Sequence, residues 1–342
     1  MPIVNQNYIA KKLKISRATV SKALSNADDI SEEMKKLVRD LAEKENYIPH
    51  YHASNMPFKK TNTIGVIVPD ISNSFFPFVI DGIMDIAQNS GYQIILTVSR
   101  EKADIEKKNI LTLLSMRVDG ILVAVSKETK GTQVFEKVRR SDVPLVFYDR
   151  PMDNLDFSTV RIDDQEAARK LIDFVIKCGY KHIGHLAGSS IIGIGRDRCN
   201  GYINALKLNK ISVRKEWIIE GGFTRIDGYQ GFKRLLERSN LPEVIFAAND
   251  QIALGVYDAT REIGLKIPDD IGIVAFGHHD FASVLSPSLT IINVNPFNLG
   301  KKAMELMVQQ IKKEKSTQGV LVPAEIEIGE SLRVPKVIDV KK

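Results

Sequence analysis

The apolar positions change their spacing near residue 60. Before it they recur every three or four residues in short runs, the period of amphipathic helices. Asn5 or Asn7 can cap a first helix running to about Leu13, with Ile9, Ala10 and Leu13 on one face. The residues KIS then make a turn, and Ser16 caps a second helix from Arg17 to about Leu24. Val20, Ala23 and Leu24 form its buried stripe, while Arg17, Ala18, Ser21, Lys22 and Ser25 share an opposite face that holds no acid. Ser31, Glu32 and Glu33 start a third helix with its acids at the positive end of the dipole. Leu37, Val38 and Leu41 carry its apolar stripe towards Asn46, and three such helices pack into one small core.

From Thr63 onward, short runs rich in Ile and Val alternate with helical stretches. TIGVIVPD, YQIILTVS, DGILVAVS, VPLVFYD, HIGHLAG, EVIFAAND and DIGIVAFG read as strands, separated by helices such as 78–90, 105–116, 163–178, 196–208, 228–238 and 251–263. Near-continuous apolar strands alternating with helices predict parallel sheets covered on both faces, and seven strands are too many for one mononucleotide-sized half. In such sheets ligands sit beyond the carboxyl ends of the strands. Those ends read Asp70 to Phe76, Tyr148-Asp149-Arg150, Gly188 to Arg196 and Asn249-Asp250, so aromatic, carboxylate, amide and guanidinium groups converge on one cleft.

A chain of 342 residues is a prior for two to three units at roughly 150 residues per domain. With 44% hydrophobic and 26% charged residues, wholesale disorder and fibrous repetition are excluded. Cys178 and Cys199 are too few for a disulfide framework and form no Cys-x-x-Cys pair, which points to a reducing cytoplasm. The N-terminus lacks an apolar signal core, and the uncharged stretch 281–300 is broken by Pro287 and Pro296, so no membrane span is expected. Of the net charge of +6, residues 1–60 hold +4, from 11 Lys/Arg against 7 Asp/Glu. A basic head on a nearly neutral body suits a polyanion partner.

The strings IAKKLKISRATVSKALSN, ISEEMKKLVRDLAEKENYIP and TNTIGVIVPDISNSFF resemble the LacI/GalR family of bacterial transcription regulators, and the likeness runs over nearly the whole chain. The resemblance implies an α/β protein. An all-α helix-turn-helix head (1–46) and a hinge helix (47–60) precede a periplasmic-binding-protein-like core (61–342) of two doubly wound parallel-sheet subdomains. One subdomain would comprise about 61–161 and 293–321, the other about 162–292 and 322–342. It implies a DNA-binding repressor, not an enzyme, that needs no cofactor or metal and binds a pseudo-palindromic operator as a homodimer under control of a sugar or sugar derivative.

By the same resemblance Arg17, Ala18 and Lys22 stand where bases are read, and Ser16, Thr19 and Ser21 where the DNA backbone is held. The chemistry fits: Arg forks onto guanine, the Ala methyl meets a thymine methyl, and hydroxyls suit phosphate oxygens. In the hinge, His50, Ala53 and Met56 take the minor-groove positions, with Met56 replacing the usual Leu wedge and Pro57 ending the helix. For the effector the likeness points to Asn73, Phe75, Phe76, Asp149, Arg150, Arg196, Asn249 and His278. Aromatic faces would cover the apolar side of a sugar ring while polar groups bond its hydroxyls. Two family ligands are replaced, by Gly277 where an acid is common and by Val294 where a Gln is. The lost acid leans towards an anionic sugar on Arg150 and Arg196. Alternatively, Arg150 pairs with Asp149 or Asp163, and Gly277 makes room for a larger neutral glycoside.

Other signals are weak. GSSIIGIGR lacks the Lys-Ser/Thr of a phosphate loop. His278, His279 and Asp280 are neighbours on one loop without a further ligand at a useful spacing. No G-x-S-x-G elbow is present. A solute-binding protein without regulatory role is the main rival, since the core alone permits it, and an α/β kinase or dehydrogenase a more distant one.

Overall fold

A computed structural model describes residues 4–47, 60–72, 75–152, 155–238, 240–314 and 317–335. The hinge positions His50, Ala53 and Met56, and Asn73 at the cleft, lie outside the described residues. Three helices come first, α1 (Gln6–Leu13), α2 (Arg17–Leu24) and α3 (Glu32–Lys44). Each starts on a polar cap: Asn5 Oδ1 accepts from the Tyr8 N–H, Ser16 Oγ from the Thr19 N–H and Ser31 Oγ from the Met34 N–H, at 2.9, 3.0 and 3.3 Å. Asn5, not Asn7, is thus the first cap. Ile9, Val20 and Val38 meet at the centre of this head beside Ala10, Ala23 and Ala42. Leu37, expected in the stripe, is instead 49% exposed. Val38 and Ala42 set the buried line of α3, and Leu37 stands about 100° of helical rotation away from it.

The remainder alternates strand and helix. It runs β1 (Thr63–Val68), α4 (Phe75–Asn89), β2 (Gln93–Val98), α5 (Ala103–Ser115), β3 (Gly120–Val123), α6 (Gln133–Arg140), β4 (Leu145–Tyr148) and β5 (Ser158–Arg161). It continues through α7 (Asp164–Lys177), β6 (Ile183–Ala187), α8 (Gly193–Leu208), β7 (Ile218–Glu220), α9 (Arg225–Leu236), β8 (Val244–Ala247), α10 (Asp250–Ile263) and β9 (Gly272–Gly277). The last elements are α11 (His279–Ala282), β10 (Thr290–Asn293), α12 (Pro296–Ile311), β11 (Gly319–Leu321) and β12 (Glu325–Glu327).

Two six-stranded sheets result, in the orders β11-β5-β4-β3-β1-β2 and β12-β10-β9-β8-β6-β7. All pairings in the first are parallel, and in the second only β12 runs antiparallel, against β10. The chain passes between the sheets after Arg161, after Asn293 and again after Leu321. β1, β3, β4 and β8 are buried along their whole length, as strands covered on both faces must be. Helices α4 and α12 cover one face together and approach closely because each carries a glycine at the crossing. A methyl group at Gly82 would lie 2.0 Å from the Phe297 carbonyl oxygen, and one at Gly300 2.0 Å from that of Val79.

Candidate functional site

On α2 the side chains of Arg17, Ala18 and Lys22 are exposed, while Thr19 and Ser21 are half-buried. Arg17 is held from the neighbouring helix, its Nε donating to Oε1 of the buried Gln6 at 3.3 Å. Lys22 pairs with Asp29 from the loop that follows, so the face that is acid-free along the helix receives an acid from outside it. The Ser16 and Thr19 hydroxyls lie 2.9 Å apart, and Ser16 spends an acceptor on the helix start. Gln6 and Asp29 carry no motif, and only packing reveals them.

The second site is a cavity of about 80 Å³ at the carboxyl ends of strands from both sheets. β4 delivers Asp149 and Arg150, and the start of α4 delivers Phe75 and Phe76. From the other sheet come Asn249 and Asp250 after β8, Phe276 and Gly277 on β9, and His278 just beyond it. Among the described residues, Ile194 and Arg198 on α8, Phe223, Gln251 and Val294 complete the lining. Because α4 begins at Phe75 rather than at residue 78, both phenylalanines belong to its first turn. Their rings meet edge to face at 5.2 Å, and Phe76 is buried in the core.

Asp149 sits in the left-handed region at φ 59°, its N–H bonded to the Val160 carbonyl at 2.9 Å, and this turn aims consecutive side chains into the cavity. Burial pushes its carboxyl up to about 6 against the pull of Arg150. Arg150 Nη1 donates to Glu101 Oε1 at 2.7 Å, and its Nε stands 3.5 Å from Asp149 Oδ2, buried without a hydrogen-bond partner. Asp163 is not its partner; that side chain caps α7 by accepting from the Glu166 N–H at 3.0 Å.

The second guanidinium is Arg198, not Arg196. Arg198 is buried, with Nε and Nη2 on Asp164 Oδ1 at 2.8 and 2.7 Å, Nη1 on the Ala248 carbonyl at 2.6 Å, and its plane 3.9 Å over the Phe276 ring. Arg196 is 49% exposed, pairs with Asp197 and does not line the cavity. Two residues apart on a helix means about 200° of rotation, so only one of the two arginines can face inward. Asn249 lines the cavity as the cap of α10: Oδ1 accepts from the Ile252 N–H and Nδ2 donates to the Phe223 carbonyl, at 2.9 and 3.0 Å. Gly188 lets Phe223 close over, since a methyl group there would come within 2.1 Å of its ring.

The acid expected to be missing near Gly277 is supplied from elsewhere. Asp250 lines the cavity, pushed up to about 6 by burial, with His278 Nε2 at 3.8 Å from its Oδ2. Burial lowers the His278 pKa and so favours the neutral ring beside Asp250. Among the described residues, no group of three or more His, Cys, Asp or Glu is placed to hold a metal, and no helix is long and apolar enough to cross a membrane.

Comparison with known proteins adds the following. Residues 8–50 match the family model described as bacterial regulatory proteins, lacI family, and residues 61–333 match that of periplasmic binding proteins and sugar binding domain of LacI family. Catabolite control protein A of Priestia megaterium is 31% identical over 327 residues, covering 95% of this chain and 98% of its own. The HTH-type transcriptional repressor CytR of Escherichia coli strain K12 is 32% identical over 304 residues, 89% of each chain. Among solved structures, a LacI family transcriptional regulator from Enterococcus faecium with bound ribose superposes with a TM-score of 0.72 at 26% identity, over 80% of this chain and all of that one.

Proposed function

The chain belongs to the LacI family of bacterial regulatory proteins, and from that premise we propose a repressor that binds a pseudo-palindromic operator as a homodimer, under control of a sugar or sugar derivative held between its two sheets. The observation that carries this reading is one chain with both an exposed recognition helix and a polar, aromatic cavity lined from two sheets that the chain joins three times. The Enterococcus faecium relative binds ribose, which supports the ligand class. A solute-binding role alone leaves the head over residues 8–50 without a use.

In the head, residues 1–46, Arg17 forks onto a guanine, Ala18 touches a thymine methyl, and Lys22 exchanges Asp29 for DNA. Ser16, Thr19 and Ser21 hold phosphates. In the hinge, residues 47–60, His50, Ala53 and Met56 enter the minor groove. In the core, residues 61–342, the ligand lies against Phe75 and Phe76 and reaches Asp149, Arg150, Arg198, Asn249, Asp250 and His278, with Asn73 assigned to it by the family resemblance alone. A ligand touching both sheets favours one angle between them. The crossings pass that preference to the hinges, where DNA selects the same or the opposite state. The protein acts by binding rather than by chemistry, in the cytoplasm where its operator lies.

The reading is tested by selecting a site from random duplex DNA and titrating it with the protein in the presence of a panel of sugars. A palindromic consensus whose affinity shifts with one sugar supports it. Sequence-independent binding that no sugar changes refutes it. Thermal denaturation with the same panel identifies the ligand, because a binder raises Tm by mass action.

A further inference from the structure

The geometry points to Glu101, outside the cavity, as the residue that sets its ligand charge: by neutralising Arg150 it makes the site reject anionic sugars in favour of neutral, hydroxyl-rich ones. This rests on the sugar-binding reading and names the ligand class within it. Glu101 is committed at both oxygens, Oε1 to Arg150 Nη1 at 2.7 Å and Oε2 to the Lys127 N–H at 2.8 Å. Its own N–H bonds to the Pro69 carbonyl at 3.1 Å, with φ at 59°, so the backbone holds the carboxylate in place. Arg198 is served in the same way by Asp164, which is buried behind it.

Both guanidinium groups therefore reach the cavity already paired, and among the described residues the carboxylates that remain on its wall are Asp149 and Asp250. Among the described residues, two cations, Arg150 and Arg198, thus face four acids, Glu101, Asp149, Asp164 and Asp250. A carboxylate or phosphate entering here would meet arginines without spare charge and two acids of its own sign. To gain Arg150 it would have to strip off Glu101, leaving a partly buried carboxylate without its cation. A neutral sugar meets no such conflict. Its hydroxyls donate to Asp149 and Asp250, and a hydroxyl oxygen can accept from Arg150 Nε, a buried donor that lies 3.5 Å from Asp149 Oδ2 and makes no hydrogen bond.

Calorimetry on the full chain with matched pairs decides the matter: ribose against ribose 5-phosphate, glucose against glucuronate, galactose against galacturonate. In each pair that binds, the neutral member is expected to bind at least tenfold more tightly. Glu101→Gln keeps the shape but frees the Arg150 charge, and should move the neutral-to-anionic ratio at least tenfold towards the anion. Glu101→Asp retains the charge and should keep the neutral preference. A general loosening of the fold would weaken both members together and leave the ratio alone. Should Glu101→Gln fail to fold, Asp164→Asn makes the same test through Arg198. Tighter binding of the anionic member by the wild type, or a ratio that neither Glu101→Gln nor Asp164→Asn moves, overturns the proposal while leaving the sugar reading intact. Binding of no member of any pair overturns the sugar reading, and this proposal with it.

Discussion

Arg17 is exposed yet held by Gln6, which orients the guanidinium before DNA arrives. Its loss should cost roughly 1–3 kcal/mol on the selected operator and relax the preference at one base pair. Ser21→Ala should instead weaken all sequences to a similar degree, and competition assays with single-base operator variants separate the two patterns. Asp250 makes a second prediction. Its folded carboxyl titrates at about 6, above the unfolded value. The folded state therefore binds the extra proton between pH 4 and 6, and stability from this group is lost as pH rises through that window. Asp250→Asn removes the cost, so its advantage in urea denaturation should grow from pH 4 to 6 and level off at about 2–3 kcal/mol. An advantage that does not depend on pH would contradict this. At this scale the sequence is only partly legible: Asp149, Arg150, Phe75 and Phe76 are readable from strand and helix ends, whereas the sequence points to Arg196 and the cavity is lined by Arg198, because the start of α8 decides which side faces inward.

Among the elements, α4 and α12 meet glycine to backbone at Gly82 and Gly300, which fixes their separation. Gly300→Ala brings a methyl group onto the Val79 carbonyl, where no side chain can swing aside, so the helices must part. The expected loss is roughly 1–3 kcal/mol of stability, read by urea denaturation, and unchanged stability would mean that the interface is looser than described. The buried strands were legible because their apolar runs are continuous, even in β3, β4 and β8 with four residues each. β5, β7, β10, β11 and β12 were not, because none of them holds more than two consecutive apolar residues. The opposite limit hides the early start of α4, whose first turn is as apolar as a strand end.

For the whole molecule, a head that covers one half-site requires two chains for a two-fold operator. Sedimentation should give a dimer, and a stable monomer with full operator affinity would contradict it. Each phosphate contact should add roughly 0.9 to the slope of log affinity against log salt, so operator binding should weaken steeply as salt rises. The helical head and the alternating strand-and-helix body could be read from the change of hydrophobic period near residue 60, and the division into two subdomains from the family resemblance. The pairing of each cavity arginine with an acid from another element could not, because Glu101 and Arg150 are 49 positions apart and carry no shared motif. The central claim couples the two ends of the molecule, and one titration tests it most directly. Fluorescence anisotropy of the selected operator is followed while the sugar that raises Tm is added at fixed protein concentration. The account predicts an operator affinity that changes at least tenfold and levels off once the sugar is well above its Kd for both the free and the DNA-bound protein. An affinity that stays constant while the cavity fills would contradict it.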